Sequence, residues 1–262
     1  MITVERAADV FVDGFAHLQT SGRPIEVLRS GPVRLVRWGP DGRRGTGFTE
    51  EFFPVDLSAK ETLAHVRAAS PGLRHYVTAI GGHLDDAHAT LAGGGYVVNS
   101  REALMALDLA GPRGASAAAL RGQPDDHPVV VVSAADAERS HALQLAQLGH
   151  VRRIDAAELA DPTVTVLQVQ VDGEPACVGK LVLVGGDAYV SDIATLPAYR
   201  RRGLARSLML GLHAAARDAG AAYAVLTSSD MGRPLYLALG YELLREIVLW
   251  EPAATAPVAA ST

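Results

Sequence analysis

Residues 191–206, Ser-Asp-Ile-Ala-Thr-Leu-Pro-Ala-Tyr-Arg-Arg-Arg-Gly-Leu-Ala-Arg, constrain the fold more than any other stretch of the chain. An apolar strand-like run from Ala188 to Leu196 halts at Pro197, three arginines follow, and Gly203-Leu204-Ala205 opens a helix that closes at Gly220. A strand that passes so quickly into a helix leaves several backbone N–H groups unpaired and aimed at one spot, where the helix dipole adds roughly half a positive charge. A phosphate or pyrophosphate fits there. Gly203 has no Cβ to obstruct it, Ala205 is the next smallest choice, and Arg200, Arg201 and Arg202 supply countercharge. Taken alone, the same residues also describe a surface turn with a solvated basic patch, so the surroundings must decide.

Those surroundings are orderly from residue 129 onward. Val129–Val132 reads as a strand and Ala134–Leu148 as a helix. Thr163–Val171 and Cys177–Val184 read as two strands joined by an Asp172-Gly173 hairpin turn. After the motif helix, Ala222–Thr227 reads as a strand, Gly232–Leu239 as a short helix and Tyr241–Trp250 as a final strand.

This order, together with two motifs, resembles the GCN5-related N-acetyltransferase (GNAT) superfamily. Arg200-x-x-Gly203-x-Ala205 matches the family's (Gln/Arg)-x-x-Gly-x-(Gly/Ala), and Tyr236-Leu237-Ala238-Leu239-Gly240-Tyr241 matches its Tyr-x-x-Leu-Gly-(Phe/Tyr) ending. The resemblance implies a mixed α/β sheet whose strand before the motif splays from its neighbour. The pantetheine arm of acetyl-CoA, the cosubstrate, would pair there with backbone groups of Ile193 and Thr195, with Ala194 between them. It further implies a pyrophosphate on the N–H groups from Arg201 through Arg202, Gly203, Leu204, Ala205 and Arg206. The thioester would lie near Thr195 with its carbonyl polarised by a backbone N–H. The family tyrosine falls on Tyr236, the expected general acid at the departing thiolate. The acceptor is an amine of a small molecule or of a protein.

The departures from the family matter as much. Ser229 stands where many members carry Asn, and is the shorter candidate for the same cofactor contact. Ala224 stands where some members carry a Glu base, so that base cannot be transferred. Asp192 is the nearest acidic candidate, set by strand alternation opposite in direction to Ile193 and Thr195; a solvated or ion-paired carboxylate is the alternative. A non-catalytic acyl-CoA-binding sensor or interaction module has the same groove, as does an enzyme acting on hydroxyls or with longer acyl donors. Gly42 to Gly47 looks like a nucleotide loop, yet no helix start follows it, and a plain turn fits better. Ser228-Ser229-Asp230 reads as a helix cap. His141, His150 and His213 have no assigned role, the last lying inside the motif helix.

The first half mixes helices and strands. Val10, Phe11, Phe15 and Leu18 have helical spacing, Val33–Trp38 reads as a strand, and Ser58–Ala69 as a helix whose N-cap Ser58 is followed three residues later by Glu61. His75–Ile80 leads through a helix-like stretch to Gly95-Tyr96, much as Ala222–Thr227 leads to Gly240-Tyr241. We therefore expect a second GNAT-like domain over 1–122, a linker over 123–128, the catalytic domain over 129–252 and a disordered tail over 253–262. An unrelated α/β cap is the alternative. Leu91 replaces the tyrosine in the first copy and no Arg-x-x-Gly-x-Ala motif precedes it, so no chemistry is expected there. All five Phe (11, 15, 48, 52 and 53) lie in this half, as an apolar core or as a wall of the acceptor pocket.

Composition excludes several classes. A net charge of −5 is wrong for a protein that lives on phosphate backbones, so no nucleic-acid partner is expected. The single cysteine, Cys177, cannot form an internal disulfide, and no His or Cys cluster has metal spacing, so no metal is expected. No run reaches the ~18 apolar residues of a membrane span. A cytoplasmic monomer or homodimer is the expectation.

Overall fold

The computed structural model describes residues 1–19, 25–38, 49–70, 75–81, 84–112, 127–149 and 153–253. Phe48, the Gly42 to Gly47 turn, His150, most of the expected linker and nearly all of the expected tail lie outside these residues. The chain divides into two compact units, and both are discontinuous. Unit 1 comprises Met1–Ser21 with Met105–Leu244, and unit 2 comprises Gly22–Leu104 with Arg245–Thr262. Each contains a mixed α/β arrangement of the expected class, but the boundaries are not the sequential ones of 1–122 and 129–252. Strand β5 (Tyr96–Asp108) and strand β11 (Glu242–Pro252) are each divided between the units, a trade that no local sequence signal announces.

Unit 1 is built on β6 (Val129–Val131), β7 (Val164–Val171), β8 (Glu174–Val184) and β9 (Asp187–Thr195), joined antiparallel in sequence order. Asp172 and Gly173, at φ 54° and 82°, make the expected two-residue hairpin turn between β7 and β8. β10 (Tyr223–Ser228) then lies parallel to β9. The crossover between them is the motif helix α6 (Leu204–Asp218), which sits hard on the sheet. A Cβ at Gly211 would lie 2.9 Å from Val129 and 3.1 Å from Leu167.

The opposite face carries α4 (Ala137–Leu148), the short α5 (Ala156–Ala160) and α1 (Val4–Gln19). Leu143, Ile154, Val166, Val178 and Ala194 form a buried cluster between α4 and the sheet. α1 belongs to this unit and not to the first-half domain expected for it. Arg6 holds buried Asp187 through two bonds of 2.7 and 3.0 Å, and Phe11 packs on Tyr189 with centroids 5.7 Å apart. Gly14 lets the helix approach, since a Cβ there would lie 2.5 Å from that of Tyr189.

Unit 2 repeats part of this plan. β1 (Glu26–Ser30), β2 (Val33–Arg37) and β3 (Glu50–Pro54) are antiparallel in order, helix α2 (Ala59–Ala69) crosses over, and β4 (His75–Ile80) lies parallel to β3. Ser58 and Glu61 form the expected capping box at the start of α2, Ser58 Oγ accepting from the Glu61 N–H and Glu61 accepting from the Ser58 N–H. Helix α3 (Leu84–Gly93) leads to β5, and the end of β11 completes the unit against β4. Phe52, Leu63, Val66, Val77, Leu91, Tyr96 and Trp250 are its core.

Candidate active site

The site begins where β9 and β10 part. Among the described residues their parallel ladder holds Ala224↔Ala188 and Val225↔Tyr189 and then stops, although β9 runs on to Thr195 and β10 to Ser228. The cause lies in β9 itself. Its register with β8 passes from Lys180↔Ser191 directly to Val178↔Ala194, so Asp192 and Ile193 both face the single residue Gly179. Such a bulge bends the strand that carries it. Asp192 takes the extra turn at φ 56°, left-handed for a non-glycine residue. α1 braces the vertex through Phe11 against Tyr189, the last residue of β9 paired with β10.

The extra residue breaks alternation between Ser191 and Asp192, yet the expected opposition beyond it is present. Asp192 lies by Lys180 on one face, while Ile193 and Thr195, beside Gly179 and Cys177, share the other. A Cβ at Gly179 would meet Ile193, Leu208 and Leu212, so Ile193 points toward α6. Asp192 is turned to a polar cluster instead. Its carbonyl accepts from Gln144 Nε2 at 2.8 Å, its Oδ1 from Ser191 Oγ at 3.2 Å, and its Oδ2 lies 3.8 Å from Lys180 Nζ. Its side chain keeps 21% of its surface exposed. The ion-paired alternative for Asp192 is therefore present, yet the carboxylate is not sealed.

Beyond Thr195 the chain makes one 3-10 turn, Pro197–Tyr199, and enters the arginine run. Arg201 at φ 63° and Gly203 at φ 86° are both left-handed, a main-chain course that turns successive N–H groups into one concavity. The first intrahelical bond of α6 is Ser207 N–H to the Gly203 carbonyl at 3.0 Å, so the N–H groups of Leu204, Ala205 and Arg206 have no partner within the helix. No described protein atom lies within 4 Å of where a Gly203 Cβ would stand, which leaves room for an anion.

The arginine side chains divide their tasks. Arg200 turns back to Gln147 Oε1 at 2.7 Å and to the Thr195 carbonyl at 3.3 Å, and Arg202 lies over the Tyr199 ring at 5.2 Å. The expectation of three guanidinium groups gathered on one pyrophosphate thus weakens, and the main chain is left as the main anion donor. Thr195 Oγ1 donates to Cys177 Sγ at 3.1 Å; burial pushes that thiol up to about 11, which suits a core residue.

Tyr236 sits on α7 (Arg233–Ala238), at the end of β10 where the strands have separated. It is 8% exposed, with its ring edge-on to Tyr241 at 5.8 Å. A Gly232 Cβ would lie 3.0 Å from the ring, so glycine gives the tyrosine its place. Ser229 Oγ accepts the Gly232 N–H at 3.3 Å, a local cap that uses one lone pair of the hydroxyl and not its O–H. His213 is structural: its Nε2 meets the Tyr241 hydroxyl at 2.9 Å, and burial pushes it down to about 3.

Sequence reasoning passed over Lys180, Glu158 and Gln144. The available signal was a lone lysine inside the apolar run Cys177–Val184 of a chain with only one other lysine, Lys60. A cavity of about 370 Å³ lined by Ile2, Asp108, Tyr223, Gly240 and Glu242 adjoins the start of β10, at the far end from the splay. Among the described residues no group of three His, Cys, Asp or Glu side chains is arranged to hold a metal, and no helix is long and apolar enough to cross a membrane.

The corresponding gap in unit 2 is closed. β3 and β4 stay paired through Phe52↔Val77, a Val55↔Ile80 bridge follows, and the Asp56 N–H bonds the Ile80 carbonyl at 2.9 Å.

An acetyltransferase (GNAT) domain model matches residues 179–244, from the glycine facing the bulge to the start of β11. Among solved structures the chain is similar to a GCN5-related N-acetyltransferase from Kribbella flavida, with 19% identity, TM-score 0.63 and coverage of 97% of this chain and 98% of that one. It is also similar to a GCN5-related N-acetyltransferase from Sphaerobacter thermophilus, at 14% identity and TM-score 0.55, covering 87% of this chain and 83% of that one. A functionally unknown conserved protein from Staphylococcus epidermidis shares the fold at 10% identity and TM-score 0.61, with 87% and 94% covered. No curated protein matches the sequence. At such identities these structures speak for the fold alone, and the domain match places an acetyltransferase (GNAT) domain in residues 179–244, which supports an acyltransferase with acetyl-CoA as cosubstrate.

Proposed function

With a GNAT domain in residues 179–244 as the premise, we propose that unit 1 transfers the acetyl group of acetyl-CoA to a primary amine of a small molecule or protein by direct attack on the thioester. The observation that carries this reading is the parting of β9 from β10 after Tyr189 and Val225, beside a helix start with unpaired N–H groups. On this reading the pyrophosphate rests on the N–H groups of Arg201 to Arg206, and the pantetheine arm enters the gap as an added strand along Thr195, Ala194 and Ile193. The arm runs from the helix end toward the vertex. Its thioester end then lies deeper than Thr195, beside Ile193 and Asp192.

The chemistry follows from that placement. The amine nitrogen attacks the thioester carbon, a C–N bond forms, the C–S bond breaks and the thiolate leaves. An acceptor that arrives as an ammonium gives up one proton to solvent to free its lone pair and a second as the C–N bond forms, and one proton must reach sulfur. Tyr236, at the separated end of β10, donates to the thiolate. Asp192 is the carboxylate in reach of the amine, which it attracts as the ammonium and relieves of the second proton directly or through water. A backbone N–H of β9 polarises the carbonyl. Unit 2 contributes no chemistry: its strands remain zipped and Leu91 stands in place of the tyrosine, as expected of a worn second copy of the fold.

The test measures CoA thiol release from acetyl-CoA with a panel of alkyl monoamines, polyamines, amino sugars and peptides with free amino termini. Tyr236→Phe should lower kcat about 100-fold with acetyl-CoA affinity unchanged. Tight acetyl-CoA binding with no release for any amine would make the domain a sensor and not an enzyme.

A further inference from the structure

Lys180 is one of two lysines in a chain with 24 basic residues, and its side chain is fully buried. Its backbone neighbour Gly179 faces α6, so strand alternation turns Lys180 to the opposite face, toward α5. There its ammonium donates to both oxygens of Glu158, at 2.9 and 3.1 Å, and Glu158 is equally buried. Glu158 is itself fixed, because its N–H is capped by Asp155 Oδ1 at 2.9 Å in the first turn of α5. The ammonium also lies 3.8 Å from Asp192 Oδ2.

A buried ion pair is a poor way to gain stability, since desolvating two charges offsets most of their attraction. Its geometry explains its presence better. Asp192 is tethered from three sides: Gln144 of α4 holds its carbonyl, Ser191 donates to one carboxylate oxygen, and Lys180 faces the other. Glu158 takes the two short bonds of the ammonium, and Asp192, at 3.8 Å, is the one of the three with exposed surface.

We propose that Lys180, clamped by Glu158, is a positioning residue that fixes the Asp192 carboxylate at the bulge as an unneutralised anchor for the ammonium of a cationic acceptor. This rests on the acetyl-transfer reading. Lys180 touches neither cosubstrate nor acceptor, and acts only through Asp192. Glu158 keeps the lysine from turning fully onto Asp192 and cancelling the charge that the acceptor needs.

The experiment is a kinetic double-mutant cycle on the full chain, with the fastest amine of the panel above as probe. Lys180→Met combined with Glu158→Gln removes both charges and leaves no lone buried ion, and Glu158→Gln alone is the second variant should the pair fold poorly. Each is made in the native chain and in Asp192→Asn. In the native chain each should raise KM for the amine about tenfold with KM for acetyl-CoA unchanged. In the Asp192→Asn background the same changes should have almost no further effect, because the residue they serve is gone. Equal losses in both backgrounds, or a loss confined to acetyl-CoA, would make the ion pair merely structural and overturn the proposal. Asp192→Asn with native kinetics would overturn it as well while leaving acetyl transfer intact. Absence of turnover with every amine would instead refute the underlying reaction, and this role with it.

Discussion

An alanine at Gly179 probes the link between packing and cofactor binding. The added methyl would overlap Ile193 Cδ1 outright and stand 3.0 Å from Leu208 Cδ2 and 3.4 Å from Leu212 Cδ1. Ile193 can swing its terminal methyl away, at a cost of about 0.5–1.5 kcal/mol for leaving its staggered well. Leu208 is fully buried in α6 and has little room to yield. Overpacking of this kind costs about 2 kcal/mol, which for a chain of this size lowers Tm by roughly 4–8 °C. The strain has an easier outlet than the helix. At Gly179 the β8–β9 ladder is already broken by the bulge, so the Ile193 backbone is the part most free to move. That backbone is where the pantetheine arm pairs, and acetyl-CoA affinity should fall about tenfold, or ~1.4 kcal/mol. Thermal melts and calorimetric titration with acetyl-CoA read both effects. Gly179→Ala with Ile193→Val, which removes the overlapping methyl, should recover at least half of each. Native melting and native affinity in Gly179→Ala would refute the packing of the bulge on α6 and the use of Ile193 with it.

Other outcomes follow from the same geometry. Gly203→Ala should cost about 1–2 kcal/mol of stability through its left-handed backbone, yet weaken acetyl-CoA far more than that, because its methyl enters the space kept for the pyrophosphate; calorimetry on the variant checks it, and an affinity loss no larger than the stability loss would remove the anion site. Burial, with Arg217 nearby, pushes His213 from its ordinary 6.5 down to about 3, so between those values the unfolded chain binds the extra proton and stability falls as pH falls, by at most ~1.4 kcal/mol per pH unit. Melts at pH 7, 5.5 and 4 should show a smaller drop for His213→Leu with Tyr241→Phe than for the native chain; parallel drops would contradict the buried neutral imidazole. Cys177, buried and pushed up to about 11, should resist alkylation at pH 8 in the folded protein and react once unfolded.

Much of unit 1 was legible because its signals are local. Asp172-Gly173 between two apolar runs, Pro197 after a strand, Gly203 before a helix and Gly220 after it each dictate backbone geometry by their own chemistry. Ser58 and Glu61 announced α2 in the same way. What stayed hidden depends on partners far along the chain. Nothing near Phe11 tells that it packs on Tyr189, which placed α1 in the wrong half. The exchange of strand segments at residues 104/105 and 244/245 is likewise set by tertiary pairing. β1 and β3 went unread, though Gly31-Pro32 between two alternating runs was a usable turn signal. In the site, the motif gave the main-chain cradle, while the bulge at Asp192 and the buried Lys180–Glu158 pair arise from register and burial. A strand period of two has no means of showing an extra residue.

Acetyl-CoA is expected in the gap between β9 and β10, and a structure of the full chain with CoA bound tests that placement most directly. The expected result is a pantetheine arm hydrogen-bonded to the main chain of Ile193 and Thr195, a pyrophosphate on the N–H groups of Arg201 to Arg206, and a thiol that ends between Asp192 and Tyr236. CoA bound elsewhere, with β9 and β10 closed on each other beyond Tyr189 and Val225, would contradict it.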